Sequence, residues 1–219
     1  MAPGNLSEHE KLFFEDGYRL GKEAAKHTKN EPMFLAYISE MYQAIDGLID
    51  SILAMARKQN ISVDCKKGCE FCCHQAVYAN SYELHYLGNF IKSNFTNEQK
   101  DEAQQKAEKK NQKTSPLSQE QVLKYKSPCP LLEKGACSAY AARPMACRIY
   151  LSMKLSSCVE FYKNPDNPNN FPQLLDFPLT AGRMMNEGFT AALREAGTET
   201  AEFRLEEGLE SVLKYGAKL

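Results

Sequence analysis

Apolar residues recur along this chain at helical intervals, and no run of four to eight residues alternates in the manner of a half-buried strand. The clearest stripe is Phe34, Ile38, Met41, Ile45, Leu48, Ile52 and Met55, a 4-3-4-3 spacing kept over six steps. Such a stripe predicts a long helix packed nearly antiparallel on another helix. Asn30 reads as its N-cap, and Pro32 falls in the first turn, where a missing N–H costs little. Upstream, Phe14, Tyr18, Gly21 and Ala25 share one face of a first helix. Residues 1–59 are therefore expected to form a helical hairpin. The 34–55 stripe is also where a second copy of the chain would seat, making a homodimer the alternative use of that face.

Further along, Asn80–Ser93 reads as a helix with Leu84, Leu87 and Ile91 inward. Thr96-Asn97-Glu98-Gln99 is a capping box opening a mixed-charge helix to about Lys113, and Ser118-Gln119-Glu120-Gln121 repeats the pattern. The turn-rich Asn164–Asn170 segment is the best boundary candidate. Beyond it, Thr180–Ala196 and Thr200–Tyr215 each read as a helix with a glycine just past the end, Gly197 and Gly216. The expected fold is mostly α, a single helical domain with a loop-rich centre. It divides into the hairpin at 1–59, a central part at 60–160, and C-terminal helices at 161–219 that pack on the same core.

Composition adds two constraints. The chain has 219 residues, 43% hydrophobic and 25% charged, which excludes a disordered tail. No apolar run approaches the roughly 18 residues that cross a bilayer, and Met1–Glu8 shows neither a basic nor an apolar leader region. A cytoplasmic location without membrane contact is expected. Net charge is −1 but uneven: residues 65–158 carry 14 Lys and Arg against 8 Asp and Glu. That excess suits a site holding thiolates. It is too small for a polyanion binder, so nucleic acid is not expected as a partner.

All eight cysteines lie in this basic stretch, at Cys65, Cys69, Cys72, Cys73, Cys129, Cys137, Cys147 and Cys158. In a reducing compartment such clustering means metal more often than disulfides. The first group, Cys65-Lys66-Lys67-Gly68-Cys69-Glu70-Phe71-Cys72-Cys73-His74, has gaps short enough for two sulfurs to converge on one centre. Gly68 fits a turn needing positive φ. The side chains of Cys72 and Cys73 diverge, so one of them is expected to face a second site or the core. In the second group, Pro128 and Pro130 stiffen the segment around Cys129, and Arg143 and Arg148 flank Cys147, placed to offset thiolate charge or clamp an anion. Cys158 follows at a longer gap. His74 reads as a capping or surface residue, with metal ligation as the alternative, His85 is expected to pack or face water, and His9 and His27 lie far from the group. Tyr140 is expected to be buried in the core, with packing against the site as the alternative. No Ser-His-Asp set, P-loop or dinucleotide fingerprint is present, and the sequence assigns no reaction.

These residues together resemble the YkgJ-type cysteine-cluster family, also named for its CxxCxxCC motif as a zinc- or iron-chelating domain. The resemblance rests on Cys65, Cys69, Cys72 and Cys73, on Cys129-Pro130-Leu131, on Cys137 with Tyr140, and on Arg143-Pro144 with Cys147-Arg148. It covers about residues 60–160, and the first gap holds three residues where the family name has two. It implies bound zinc or an iron–sulfur cluster. The family also includes a branch similar to flagellin lysine N-methylases.

Eight cysteines would fill two tetrahedral zinc sites, but one dense group followed by scattered members lacks the paired knuckles usual for structural zinc. Iron–sulfur clusters accept more varied gaps, so the spacing favours iron–sulfur over zinc, with a redox or structural role. A zinc-stabilised binding module without catalysis is the alternative. Cys65-x3-Cys69-x2-Cys72 also resembles the signature of radical S-adenosylmethionine enzymes. Those use a βα barrel, which this helical pattern does not supply.

Overall fold

The computed structural model describes residues 6–216, so most of the N-terminal stretch read for a leader lies outside the described residues. Among the described residues there are nine α-helices and two small sheets of two strands each. The fold is mostly α, a single domain, with no βα barrel among the described residues. No described helix is long and apolar enough to cross a membrane.

The first two helices are α1 (Glu8–Ala25) and α2 (Glu31–Lys58). Ser7 and Glu10 cap α1 reciprocally, and Asn30 caps α2 as expected, with Pro32 in its first turn. The hairpin expected of them is the lesser contact. α1 lies chiefly against α8 (Asp176–Glu195), because glycines let the two backbones approach: a Cβ on Gly17 would overlap the Met185 carbonyl oxygen, and one on Gly188 the Phe14 oxygen. The buried face of α1 is accordingly Gly17, Leu20, Gly21 and Ala24, turned slightly from the expected stripe. On α2, Phe34, Ile38, Met41, Tyr42, Ile45 and Ile49 are buried. The far end of its stripe opens outward, with Leu48 and Ile52 half-buried and Met55 exposed.

A short strand β1 (Tyr78–Asn80) leads into α3 (Ser81–Asn94), followed by α4 (Asn97–Thr114) and α5 (Gln119–Lys124). The strand pair β2 (Leu132–Glu133) and β3 (Ala136–Cys137) precedes α6 (Met145–Arg148) and α7 (Leu155–Lys163). The chain ends in β4 (Glu202–Arg204) and α9 (Leu205–Tyr215). β4 pairs antiparallel with β1, Ala79 opposite Phe203, so the start of the expected 200–215 helix is extended backbone instead. Three-residue strands carry too few alternations to show in a sequence. α8 starts four residues earlier than its pattern suggested, with Pro178 in its first turn. α4, read as a mixed-charge helix, buries Ala103, Ala107, Lys110 and Thr114. Small residues there let it lie close to α9.

Two apolar clusters result. One joins α1, α2, α6 and α8 through residues such as Phe34, Met41, Ile45, Met145, Ile149 and Phe189. The other joins α3, α4 and α9 through Leu87, Ile91, Ala107, Leu205 and Leu209. Cys129 and Cys137 pack on the second, while α6, which carries Cys147, packs on the first. Cys129, Cys137 and Cys147 therefore lie along the seam between the two clusters.

Candidate metal centre

Four short segments deliver the thiols. In the first, Gly68 adopts φ +93°, and the Cys69 amide closes the turn on the Lys66 carbonyl at 3.1 Å. A single 3₁₀ turn over Phe71–His74 then carries Cys72 and Cys73. The Cys129 amide donates to the Cys73 carbonyl at 2.7 Å, and the Ser127 amide to that of His74 at 3.1 Å, fastening the second segment to the first. Lys134 and Gly135, both at positive φ, make the tight turn between β2 and β3 that sets Cys137 opposite Leu132. α6 supplies Cys147. α7 supplies Cys158, its start held to the first segment by the Cys65 amide on the Ser152 carbonyl at 3.2 Å and the Leu155 amide on the Asp64 carboxylate at 2.9 Å.

Cys65, Cys69, Cys72, Cys73, Cys129, Cys137 and Cys147 line one cavity of about 620 Å³. Cys158 lines a smaller one of about 10 Å³ with Cys65, Cys69 and Cys72. All eight thiols are free of disulfides. The structure thus brings together every cysteine that the sequence singled out. His74 is not among the lining residues: its Nδ1 meets the Glu70 carbonyl at 3.0 Å and its ring lies edge-on to Tyr162. His85 is buried on α3, with Nε2 2.6 Å from Glu31 Oε1, beside a separate cavity. Tyr140 is not buried in the core: it is 37% exposed at the rim of the large cavity, with the Arg143 guanidinium 3.9 Å and the Lys67 ammonium 5.3 Å from its ring centroid.

Burial dominates the thiol electrostatics. It pushes Cys65, Cys137, Cys147 and Cys158 up, and Cys129 to about 11. The surrounding cations oppose this only weakly: Arg143 lowers Cys137, and Lys110 lowers Cys129. Cys72 is the exception. A hydrogen bond from Cys73 favours its thiolate and brings it down to about 7, and the same bond pushes Cys73 far up. Seven thiols facing one shielded space need a cation to ionise together, which is what a bound metal provides.

The two flanking arginines differ in role. Arg148 is buried, donating to the Asp46 carboxylate and to the Arg143 and Ala141 carbonyls, with its guanidinium over the Tyr42 ring. It stitches the Tyr140–Arg143 segment to α2 at the wall of the large cavity. Arg143 faces the cavity, donating one bond to the Tyr140 carbonyl and one to Asp46. Two residues that sequence reasoning missed support the site. Asp46 lies on α2 with no local signal, whereas Glu83 stood at the third position of a capping box, a signal that was legible. Glu83 accepts from Tyr42 Oη, the Asn80 amide and the Met145 amide.

The donor chemistry suits a thiophilic metal, but the spacing is wide. Among the described residues no three of His, Cys, Asp and Glu stand close enough to hold a metal ion as placed. One tetrahedral zinc at about 2.3 Å from each sulfur would bring sulfurs to about 3.8 Å of one another.

Free thiols lining one cavity are the donor set of a metal-binding cysteine cluster. Comparison with family models agrees: residues 64–169 match the family described as "CxxCxxCC: Putative zinc- or iron-chelating domain", and this segment is a domain of that family. Comparison with curated proteins and with solved structures found no match.

Proposed function

We propose that this chain holds an iron–sulfur cluster in the large cavity. The observation that carries the reading is the shape of the thiol set. Seven sulfurs surround about 620 Å³, far more room than one ion fills. A mononuclear zinc would ask for four sulfurs contracted around a point. A cluster of several irons binds its cysteines on different metal atoms, so its thiols stand further apart. The walls suit such an occupant, being mostly apolar, with Ile49, Leu53, Val77, Leu131 and Leu205 among them.

Bound there, a cluster supplies one-electron chemistry and a covalent cross-link among segments that the backbone joins only through loops. Arg143, beside Cys72 and Cys137, offsets part of the thiolate charge, and Asp46 keeps that guanidinium in place. The test is iron, zinc and acid-labile sulfide content, with a visible spectrum, on protein purified without oxygen. Iron with sulfide and a visible absorption band supports the reading. Zinc without sulfide overturns it in favour of a zinc-stabilised binding module.

A further inference from the structure

We propose that the eight cysteines build two metal centres: Cys73, Cys129, Cys137 and Cys147 around the large cavity, and Cys65, Cys69, Cys72 and Cys158 around the small one, where they take a single thiophilic ion, zinc or ferrous iron. This rests on the metal-binding reading above and assigns each thiol a place in it.

The two cavities sort the cysteines. Cys73, Cys129, Cys137 and Cys147 face only the large one, and Cys158 faces only the small one. Cys65, Cys69 and Cys72 border both and form the wall between them. Each side can thus be given four thiols, the number that closes a tetrahedral sulfur site. Size separates the occupants too. The small cavity, about 10 Å³, is near the volume of one water-sized probe, which suits one ion and excludes a cluster.

The backbone explains how the set divides. Cys72 and Cys73 do not diverge as expected, since their side chains hydrogen-bond, but Cys72 borders both cavities and Cys73 only the large one, so the Cys72-Cys73 step can serve both centres. The Asp64–Leu155 and Cys65–Ser152 hydrogen bonds lay the first turn of α7 over the Cys65 segment. Cys158, three residues after Leu155, then lies on the same helix face as Leu155, and both line the small cavity. The neighbour relations divide around Cys65 and cross over at Cys72, whose charge also bears on Cys137. The thiols whose charge bears on Cys65 are Cys72, Cys69 and Cys158, while those bearing on Cys147 are Cys129, Cys72 and Cys137. Cys72 is the junction. An ion in the small cavity must draw its four sulfurs inward. Cys65 gives up only a 3.9 Å contact with the Tyr150 carbonyl to do so, and Cys65 and Cys69 sit in loop rather than helix or strand.

The test is metal and sulfide content of the whole chain, purified without oxygen, beside C158S, C65S and C137S. C158S and C65S should each lose about one metal ion per chain and keep the sulfide and the visible band. C137S should lose sulfide and band and keep about one ion. Full metal retention in C158S, or loss in the same proportion in all three variants, overturns the division. Should a variant fail to fold, cadmium titration of the unmutated metal-free chain decides. Thiolate-to-cadmium absorption rising in two separable steps supports two centres, and a single step overturns them. A wild-type chain that takes up no metal overturns the metal-binding reading as well, whereas a cluster-loaded wild type with a dispensable Cys158 overturns only the division.

Discussion

Glu83 accepts the backbone N–H of Met145 at 2.7 Å, and this bond joins α3 to the four-residue helix that carries Cys147. The same carboxylate takes Tyr42 Oη at 3.0 Å from α2 and caps its own helix through the Asn80 amide at 3.0 Å. It is 1% exposed, so every one of these donors depends on it and has no water in reserve. Four elements are held at one side chain, and the position of Cys147 is a consequence.

Glu83→Gln should therefore weaken fold and site together. The amide keeps one acceptor oxygen but turns an NH₂ toward groups that are donors, which costs about 1–3 kcal/mol. For a chain of this size that is a fall in Tm of roughly 2–12 °C. Thermal unfolding checks the size of the effect. Metal content checks its direction, since the loaded variant should release metal to a chelator faster than wild type.

The glycine seam between α1 and α8 makes a sharper prediction. Gly17→Ala sets a methyl group against the Met185 backbone, which no side-chain rotation relieves, and should destabilise by about 3 kcal/mol. Gly47→Ala on the exposed side of α2 meets nothing within 4 Å and should stabilise by about 0.5–1 kcal/mol through helix propensity alone. Urea unfolding of the pair reads both signs. Equal effects would mean that the helices are not in backbone contact.

Arg148→Lys keeps the charge and loses the fork. A single ammonium cannot reach Asp46, the Arg143 carbonyl and the Ala141 carbonyl in the plane that the guanidinium spans, nor stack on Tyr42. The expected loss is about 2–4 kcal/mol, close to that of breaking a buried ion pair. Asp46→Asn should cost less, because Asp46 is half-exposed and water can replace it. Denaturant midpoints of the two variants test the order.

In the metal-free chain the thiols should titrate far apart. Cys72, brought down to about 7 from an ordinary value near 9, gains stability from its thiolate. That contribution is complete above about pH 9 and is lost as pH falls through about 7. Cys129, pushed up to about 11, works in the opposite sense, and its contribution falls away as pH rises above about 9. Alkylation followed by peptide mass spectrometry should show Cys72 modified first, half-maximally near pH 7, with Cys129 protected. Uniform labelling of the cysteines at pH 7 would contradict this.

Much of this protein is legible in its residues taken in order. Helical periodicity and capping boxes are local properties, so α2, α3 and α4 and their caps at Asn30, Asn80 and Thr96 follow from spacing alone. The cysteine set is legible for a similar reason, since thiol chemistry belongs to the residue type and the short gaps bring sulfurs together through nearby backbone. The Gly68 turn is of the same kind, because only its φ had to be anticipated. Other features depend on residues far apart in sequence, which no local pattern reports. The preference of α1 for α8 over α2 came from glycines at 17 and 188 meeting across the fold. The β1–β4 pair joins segments more than a hundred residues apart. The spending of Arg148 on Asp46, and of Glu83 on Met145, required α2, α3 and α6 to be in place first. Residue order was enough to say which side chains carry the chemistry. Which of them face one another was left to the folded chain, because contact between distant segments is set by packing and not by spacing.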